Sequence, residues 1–465
     1  MGGCFSRGIM KDKYRDVLQE SLKGHDSRYV EIRVEQTVSS SIRYRGKDLE
    51  EAGSSSGIGG CVRALSDGGW GFACFSSLEG IKEKAKLAVR NSKLVKGNRI
   101  DLAPIDPVVD YVPATTVKNP SSVSLPDKKK LLDEYIDLIW ETPGITSSSI
   151  RYGDSNRKIT FASSEGSYIE QDRINVVFGA SAMARDGGDV QQSTISLGSL
   201  GDFAFVEGLH SQVKQMSKRA VELLKATPVK GGPYTVILDP VLAGVFIHEA
   251  FGHLSEADHV YENDRLKDIM VLGKEFGSRN LNVVDGAAVP GLRGSYKYDE
   301  EGVPSNRTDL IKDGILVGRL HSRETAAKMS ERPTGNARAI SSLYPPIVRM
   351  TNTYIEPTEH DVADLFSDVK EGIYAKNWYG GMTSMEQYTF SAGEAFMIRN
   401  GKIAELLRPV MLTGNLFVTL KNLDGIANDL EMNQGGGCGK GGQMPLPVSN
   451  GSPHIRINRC LINGS

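Results

Sequence analysis

The sequence lacks long apolar runs, an excess of one charge and a cysteine framework. No stretch reaches the roughly 18 consecutive apolar residues that a transmembrane helix requires, so no membrane contact is expected. The 55 basic and 57 acidic residues give a formal net charge of −2, without the basic excess of many nucleic-acid-binding proteins. The five cysteines are odd in number and irregularly spaced, which is typical of free thiols in a reducing compartment. We therefore expect a cytoplasmic protein that binds neither membranes nor nucleic acid.

The N-terminus carries one loose targeting pattern. The segment Met1–Ser6 fits the short pattern for N-myristoylation at Gly2, and no long apolar segment of a secretory signal follows it. Because so short a pattern arises readily by chance, we expect an unmodified, frayed terminus.

Length and composition predict two domains. A chain of 465 residues is longer than one hydrophobic core usually supports. The Pro/Gly-rich segment Thr227–Pro233 is the clearest boundary, which gives an N-terminal domain of residues 1–230 and a C-terminal domain of residues 231–465. We predict an α+β fold, with helices and an antiparallel sheet in the first domain. The second domain is predicted to be mostly β and to contain the helix that carries His248 and His253.

The first domain shows helical and strand periodicity and one repeated hexapeptide. Strands in an antiparallel meander are predicted from about residue 30 to residue 75. The sequence Ser-Ser-Ser-Ile-Arg-Tyr occurs at 39–44 and again at 147–152, which suggests an internal duplication of a helix-plus-meander unit. Helices are predicted at about residues 10–23, 78–92, 127–141 and 207–226.

Residues 245–259 contain three of the eight histidines and predict a metal site. Zinc peptidases of the His-Glu-x-x-His type place two imidazoles one helical turn apart, and the glutamate polarises the metal-bound water. Here His248-Glu249 is followed by His253, one residue further along than in that motif. Residues i and i+5 lie about 140° apart around a regular α-helix. Both histidines would face one metal only across a π-bulge, a distortion that Gly252 would absorb.

A third protein ligand is needed if the fourth position is to hold water. His259 is one candidate, because it lies six residues after His253 as in the metzincin pattern, although Glu256 stands where that pattern has a glycine. Cys438 is the other candidate, since the surrounding segment Gly435–Gln443 has few side chains to obstruct its approach to a metal. Spacing leaves the choice open. It also leaves open a simpler interpretation, in which the histidines lie at a helix end and Cys438 belongs to a linker.

Four separated motifs, in the same order, resemble those of the TldD/PmbA family of metallopeptidases, whose members are also described as modulators of DNA gyrase. The resemblance is to the TldD-like, zinc-containing branch, and it covers nearly the whole chain. The motifs lie at His248–His253, Thr334–Arg338, Pro346–Tyr354 and Cys438–Gln443.

The resemblance implies a zinc site formed by His248, His253 and Cys438, with Glu249 as the catalytic base. PmbA-like partners lack these residues, so the chain resembles a catalytic subunit. The family implies either a homodimer or a heterodimer with a PmbA-like subunit. It also implies peptide or unfolded-protein substrates, which would be recognised in an enclosed cavity by addition of a strand.

The predicted reaction is zinc-dependent peptide hydrolysis, with water activated by Zn2+ and Glu249. Arg338 and His321 are candidates for the group that stabilises the oxyanion. Glu256 and Asp258 are candidates for hydrogen bonds to the ligand histidines.

Two alternatives remain open at this point. In the first, the chain is a cysteine peptidase that uses Cys438 as its nucleophile. In the second, it is a non-enzymatic regulator, for example a gyrase modulator, that acts only by binding another protein.

Overall fold

The computed structural model describes residues 15–384 and 386–463. The loose lipidation pattern at Met1–Ser6 therefore lies outside the described residues. Within the described ranges, no helix is both long and apolar enough to cross a membrane.

The N-terminal half of the chain contributes one seven-stranded sheet with the order β3-β2-β1-β5-β6-β4, and β7 also pairs with β6. All neighbouring strands are antiparallel except β4, which runs parallel to β6. The meander predicted for the first part of the chain is confirmed. The strands are Tyr29–Arg45 (β1), Asp48–Ser66 (β2), Gly69–Phe75 (β3), Val109–Val112 (β4), Ile145–Ser163 (β5), Tyr168–Asp186 (β6) and Asp189–Ser199 (β7).

The helices of this half cover the sheet. The second helix packs on β2 and β3, and the fifth packs on β6 and β7. The third helix begins where Ser124 accepts a hydrogen bond from the backbone N–H of Asp127 and proline occupies the first turn, two standard helix-start signals. All four predicted helices are present among the described residues, and each ends one to three residues away from its predicted C-terminal end. The helices are residues 15–21 (α1), Ile81–Leu94 (α2), Leu125–Trp140 (α3), Ala204–Glu207 (α4) and His210–Leu223 (α5).

The two parts of this sheet have the same order of elements. Each consists of a helix, a three-stranded meander and a further helix: α1, β1–β3 and α2 in the first, and α3, β5–β7 and α5 in the second. Strands β1 and β5 meet antiparallel in the middle, where Arg43 lies opposite Arg151. These two arginines occupy equivalent positions in the repeated hexapeptide, so the pairing is symmetric about that point. This is the arrangement that an internal duplication would produce.

The C-terminal half is mostly β, as predicted. One sheet has the order β11-β10-β9-β14-β23-β20, and a second has the order β15-β8-β24-β18-β16-β17, with β19 beside β24. Two short hairpin-like pairs, β12–β13 and β21–β22, complete the described strands of this half. The strands are Gly232–Leu238 (β8), Val283–Gly286 (β9), Arg307–Lys312 (β10), Ile315–Leu316 (β11), Ala337–Arg338 (β12), Ile347–Val348 (β13), Asn352–Ile355 (β14), Glu371–Ser384 (β15), Gln387–Arg399 (β16), Lys402–Leu407 (β17), Met411–Asn415 (β18), Leu423–Ile426 (β19), Glu431–Asn433 (β20), Cys438–Lys440 (β21), Gln443–Leu446 (β22), Ser449–Ser452 (β23) and Ile455–Asn463 (β24).

The helices of this half are short. The sixth helix lies between the two large sheets and contacts β14, β20 and β23 of one and β8 and β15 of the other. The large apolar core of this half surrounds it. The helices are Pro240–Ile247 (α6), Ala257–Glu262 (α7), Asp264–Ile269 (α8), Arg323–Met329 (α9), Val362–Ser367 (α10) and Leu416–Lys421 (α11).

Buried charges join the two halves. The guanidinium of Arg63 on β2 lies 2.8 Å from Glu31 of the same sheet and 2.8 Å from Glu301 of the C-terminal half. All three side chains are almost fully buried, so each charge depends on the others for compensation. The α+β class is confirmed, and the exact division at residues 230 and 231 stays a prediction.

Candidate metal centre

Helix α6 positions the first histidine of the motif. The Asp239 carboxylate accepts a hydrogen bond from the backbone N–H of Leu242 at 2.9 Å, and Pro240 occupies the first turn. The helix is apolar throughout and almost completely buried between the two sheets. Because it is held on all sides, the position of His248 at its end is held as well.

The turn that follows α6 is a π-helical turn at His248–Gly252. The backbone N–H of His253 donates to the carbonyl oxygen of His248, five residues earlier. This brings the two imidazoles together, with ring centroids 5.4 Å apart. The π-bulge predicted from the five-residue spacing is confirmed.

Gly252 serves this turn in a different way from the one predicted. Its backbone angles, φ −57° and ψ −50°, are those of an ordinary helix, so the distortion itself does not require glycine. A Cβ atom at this position would lie 2.0 Å from Sδ of the buried Met350. Glycine is therefore needed for close packing beneath the two histidines.

Cys438 approaches the histidines from a distant part of the chain. It begins β21, and the glycine-rich segment before it passes so close to β7 that a Cβ on Gly435 would lie 2.0 Å from the carbonyl oxygen of Ser196. Cys438 Sγ lies 3.4 Å from His253 Nε2. Ordinary Zn–S and Zn–N bond lengths put two ligands of a tetrahedral zinc roughly 3.6 Å apart. This separation fits a shared metal ion.

The donor set also fits a metal. One ligand atom from each of His248, His253 and Cys438 lies within 4.8 Å of the others. His248 Nδ1 is buried and has no hydrogen-bond partner among the described residues, which is uncommon for a buried polar atom. Two imidazoles and a thiolate form a donor set that suits zinc, with a fourth position left for water.

The charges of the cluster favour a thiolate. Burial alone would raise the pKa of the Cys438 thiol, but the charges of His248 and His253 and their hydrogen bonds hold it well below its usual value. Burial would likewise lower the pKa of His253, yet the carboxylate of Glu256 and the Cys438 sulfur hold it well above its usual value.

Glu256 is the partner that orients His253. Its Oε2 atom lies 3.1 Å from His253 Nδ1, which leaves Nε2 of that ring facing Cys438. The carboxylate is completely buried, and its pKa falls to about 2 because the charges of His253 and Lys440 outweigh the cost of burial. A carboxylate that accepts the second N–H of a ligand histidine fixes its tautomer and ring orientation.

Lys440 links this carboxylate to the segment that carries Cys438. Its Nζ atom lies 3.0 Å from Glu256 Oε2 and 2.6 Å from Asp258 Oδ1. Glu256 therefore lies where a hydrogen bond to a ligand histidine was expected. The contacts of Asp258 are instead with Lys440 and with the backbone N–H of His259.

Glu249 lies between two cavities. Its Oε2 atom is 3.9 Å from His253 Nε2, and its side chain is 30% exposed. A cavity of about 240 Å³ that also contains His248 and Trp378 lies on one side. A cavity of about 720 Å³ that also contains His253 and Met382 lies on the other. A molecule that bridged the two cavities would pass this carboxylate.

Comparison with known proteins shows the family. A family model described as the PmbA/TldA metallopeptidase C-terminal domain matches residues 231–464, about half of the chain. Models for domain 1 and the central domain of the same metallopeptidases match residues 30–92 and 118–226. The chain belongs to the TldD/PmbA family of metallopeptidases. The N-terminal half thus matches two family domains, although one sheet runs through both.

Relatives of this TldD/PmbA chain are named as metalloproteases. One from Synechocystis sp. is 47% identical over 438 residues, which cover 94% of this chain and 95% of the relative. A protein named a zinc metalloprotease TldD homolog, from Saccharolobus solfataricus, is 35% identical and is matched over 69% of this chain and 72% of its own length. The structure of TldE from Thermococcus kodakarensis has a TM-score of 0.77 at 17% identity and covers 97% of this chain and 100% of its own, which shows a shared fold. The chain is a metallopeptidase.

Three further candidates in this TldD/PmbA protein, His259, His321 and Arg338, also lie outside the ligand cluster. His259 Nδ1 lies 3.8 Å from Glu256 Oε2, and the side chain is 42% exposed. His321 uses both ring nitrogens in contacts with Thr325 and Glu331. Arg338 donates to two backbone carbonyl oxygens at 2.6 and 2.7 Å. None of these contacts of His321 and Arg338 is with His248, His253 or Cys438.

The sequence did not indicate three other residues that line the smaller cavity with His248 and Glu249. Asn377 and Trp378 on β15, together with Asn450 on β23, line the smaller cavity beside Glu249. Asn377 has a left-handed backbone with φ 56° and comes directly before Trp378–Gly380, where the ladder between β15 and β16 shifts register. No local pattern marks these residues in the sequence, because strand pairing between distant segments brings them to the site.

Proposed function

We propose that the chain hydrolyses peptides with a zinc ion held by His248, His253 and Cys438, and with Glu249 as the general base. The observation that carries this proposal is the convergence of three metal-ligand atoms within 4.8 Å of one another, next to a part-exposed carboxylate. A zinc ion held there would act as a Lewis acid, polarising the scissile carbonyl and lowering the pKa of a water to about 7.

Glu249 supplies the proton transfers in this proposal. Its carboxylate accepts a proton from the attacking water and later gives it to the nitrogen of the leaving amine. Its position between two cavities suits this role, since the substrate would have to lie across it. Glu256 holds the Nδ1–H of His253 and so keeps that ring in one orientation.

An unpaired sheet edge supports a peptide substrate that binds as a strand. Strand β8 pairs with β15 only as far as Leu238 and Ala375, because the chain then turns into helix α6. Beyond that point, the described part of β15 pairs only with β16, through to Ser384 opposite Gln387. The vacated edge runs beside both cavities.

Backbone N–H and C=O groups on this edge of β15 are oriented to pair with a further strand. In a hairpin with a two-residue loop, the innermost residue pair exchanges two backbone hydrogen bonds. Non-hydrogen-bonded and hydrogen-bonded pairs then alternate along the two strands. Counting from Ser384, the backbone N–H and C=O of Gly381 and Thr383 point away from β16. Both residues line the larger cavity. We infer that an extended, unfolded peptide occupies the place that β8 leaves empty.

We further propose that the protein acts in the cytoplasm as a homodimer or as a heterodimer with a PmbA-like subunit. The chain has a mass of 50.5 kDa. In size-exclusion chromatography with light scattering, a homodimer should show about twice this mass without any partner. A heterodimer should show it only after a PmbA-like partner is added. A monomer that is fully active under both conditions would contradict the dimer proposal.

The Glu249→Gln variant tests the proposed mechanism. It keeps the side-chain size but cannot accept the proton, so peptidase activity should fall by roughly 10²- to 10⁴-fold while zinc remains bound. Turnover of an unfolded peptide and the zinc content are measured on the same preparation. Full activity with zinc still bound would show that Glu249 is not the base.

The cysteine-peptidase alternative has one observation in its favour, the lowered pKa of the Cys438 thiol beside two histidines. It predicts activity that survives chelators and is lost on alkylation. The zinc proposal predicts loss of activity with a chelator and recovery when zinc is added. A non-enzymatic regulator would instead contain no metal and would bind its partner equally well after Glu249→Gln.

A further inference from the structure

Two cysteines outside the metal centre lie directly opposite each other on neighbouring strands. Cys61 on β2 pairs with Cys74 on β3 in an unbroken antiparallel register. Residues directly opposite in an antiparallel pair project from the same face of the sheet, with Cβ atoms about 5 Å apart. Both thiols are free in this structure.

The hairpin turn determines which kind of pair they form. Ser66 and Gly69 flank a two-residue connection and form the innermost pair, which exchanges both of its hydrogen bonds. The pattern alternates along the ladder, so the fifth pair after it, Cys61 with Cys74, is a non-hydrogen-bonded pair. In such pairs the Cα atoms are about 4.5 Å apart, which lies within the range that a disulfide spans.

The surroundings place the two thiols on the face of the sheet that meets the C-terminal half. The guanidinium of Arg33 donates both to Cys61 Sγ at 3.5 Å and to the carbonyl oxygen of Tyr344 at 2.6 Å. Cys74 Sγ lies 3.9 Å from the carbonyl oxygen of Leu343. Cys61 is buried, whereas Cys74 is part-exposed. An oxidant would therefore reach Cys74 first.

We propose that Cys61 and Cys74 form a redox-active pair that oxidises reversibly to an intrachain disulfide. With oxidised glutathione as the oxidant, the Cys74 thiolate attacks the glutathione disulfide and releases one glutathione thiolate. The Cys61 thiolate then attacks Cys74 Sγ and releases the second glutathione. The two thiols lose two protons and two electrons, and one oxidised glutathione becomes two reduced ones.

The reaction should become faster as pH rises. Burial and the neighbouring Cys61 raise the pKa of the Cys74 thiol, and the cations Arg33 and Lys84 offset part of this effect. Cys74 is therefore mostly protonated at neutral pH, and its reactive thiolate becomes more abundant with alkali. Oxidation removes the S–H group that faces the Leu343 carbonyl oxygen, so the disulfide would loosen the contact between this hairpin and the 341–345 loop.

Peptide mapping of the folded, zinc-loaded protein tests the proposal. The protein is incubated with oxidised glutathione or with a reductant at about pH 8.5, near the usual pKa of a thiol, and is then alkylated and digested with trypsin. Arg63 lies between the two cysteines, so trypsin separates them and a disulfide appears as two linked peptides. We expect most of the oxidised sample to contain this linked pair and the reduced sample to contain none.

Two variants make the test specific. Cys61→Ser should stop the reaction at a stable glutathione adduct on Cys74. Cys460→Ser is the matched control and should leave the linked pair unchanged, because Cys460 is deeply buried and lies 3.8 Å from Tyr388. The proposal is overturned if folded wild-type protein stays reduced or keeps only an adduct, or if the pair links only after denaturation. The wild-type result decides the question even if a variant does not fold.

Discussion

Glu256 is the residue that connects most parts of the metal centre. Its completely buried carboxylate contacts His253 at 3.1 Å and Lys440 at 3.0 Å. Lys440 lies two residues after Cys438, so one carboxylate is linked to the elements that carry two proposed ligands. A buried charge with two partners is costly to disturb, because removing one partner leaves the others uncompensated.

Glu256→Gln should weaken zinc binding by roughly 10- to 100-fold, the usual effect of removing a carboxylate that orients a ligand histidine. Zinc affinity is measured by competition with a chromogenic chelator. Asp258→Asn is the matched control, because Asp258 contacts Lys440 but no ligand histidine. Its effect should be smaller. Equal affinity in Glu256→Gln and the wild type would show that His253 is oriented by something else.

At this scale the sequence predicted a local distortion of the helix but not the contacts made over long distances along the chain. The spacing of His248 and His253 predicted a distorted helix, and that distortion is present. Spacing could not choose between His259 and Cys438, because Cys438 is 185 residues from His253 and only tertiary contacts bring them together. The family resemblance pointed to Cys438, whose sulfur lies in the cluster of ligand atoms.

At the scale of single elements, helix α6 and the π turn after it determine where the proposed ligands His248 and His253 lie. An all-apolar helix buried between two sheets has little freedom to rotate or slide. Two positions in this segment are tightly constrained: Gly252, which packs under Met350, and Asp239, which caps the first turn. Each provides a test.

Gly252→Ala should destabilise the protein although alanine is the better helix former. Helix propensity alone would stabilise the variant by about 1 kcal/mol. The new methyl group would lie 2.0 Å from Met350 Sδ, and overpacking of this kind costs about 1–3 kcal/mol. The free energy of unfolding is measured by urea denaturation. Gly208→Ala is the control, because its nearest neighbour lies 4.0 Å away. Equal stabilities for Gly252→Ala and Gly208→Ala would show that Met350 moves aside at no cost.

The raised pKa of Asp239 implies a specific pH dependence of the free energy of unfolding. Burial raises its pKa in the folded protein to about 6, whereas the unfolded value is about 3.9. The folded state therefore binds a proton that the unfolded state has lost, and stability falls as pH rises between these two values. Asn at this position can still cap the helix but does not titrate.

The Asp239→Asn variant should therefore gain stability relative to the wild type as pH rises from about 4 to about 6. Two pKa units correspond to about 3 kcal/mol, which sets the scale of the change. Urea denaturation of both proteins at several pH values measures it. A constant difference in the free energy of unfolding across this range would mean that Asp239 is already ionised in the folded protein near pH 4.

At the scale of the whole molecule, long-range strand pairing forms the walls of the two cavities beside Glu249. The vacated edge of β15, the glycine-rich segment against β7 and the helix between the sheets come from separate parts of the chain. Residue periodicity predicted the first meander and four helices of the N-terminal half, although their ends differ from the observed ones. It could not predict which strand edges would remain unpaired, because that depends on partners more than 100 residues away.

The edge of β15 can be tested by removing one N–H group. Thr383→Pro deletes an outward-facing donor while leaving the hydrogen bonds between β15 and β16 in place. If a peptide substrate pairs with this edge, KM should rise roughly tenfold, which corresponds to the loss of one hydrogen bond worth about 1.4 kcal/mol. Thr383→Val retains the N–H and is the control. Equal KM values for the two variants would argue against strand addition at this position.

The zinc content of the purified protein, wild type against Cys438→Ala and measured by mass spectrometry of the metal, tests the proposed centre most directly. A His-His-Cys centre predicts about one zinc per wild-type chain and a sharp loss in the variant, since two imidazoles alone hold zinc much more weakly. Peptidase activity should fall in parallel with the metal. Zinc that stays at the wild-type level in Cys438→Ala, or an active wild-type protein without zinc, would contradict a His-His-Cys centre.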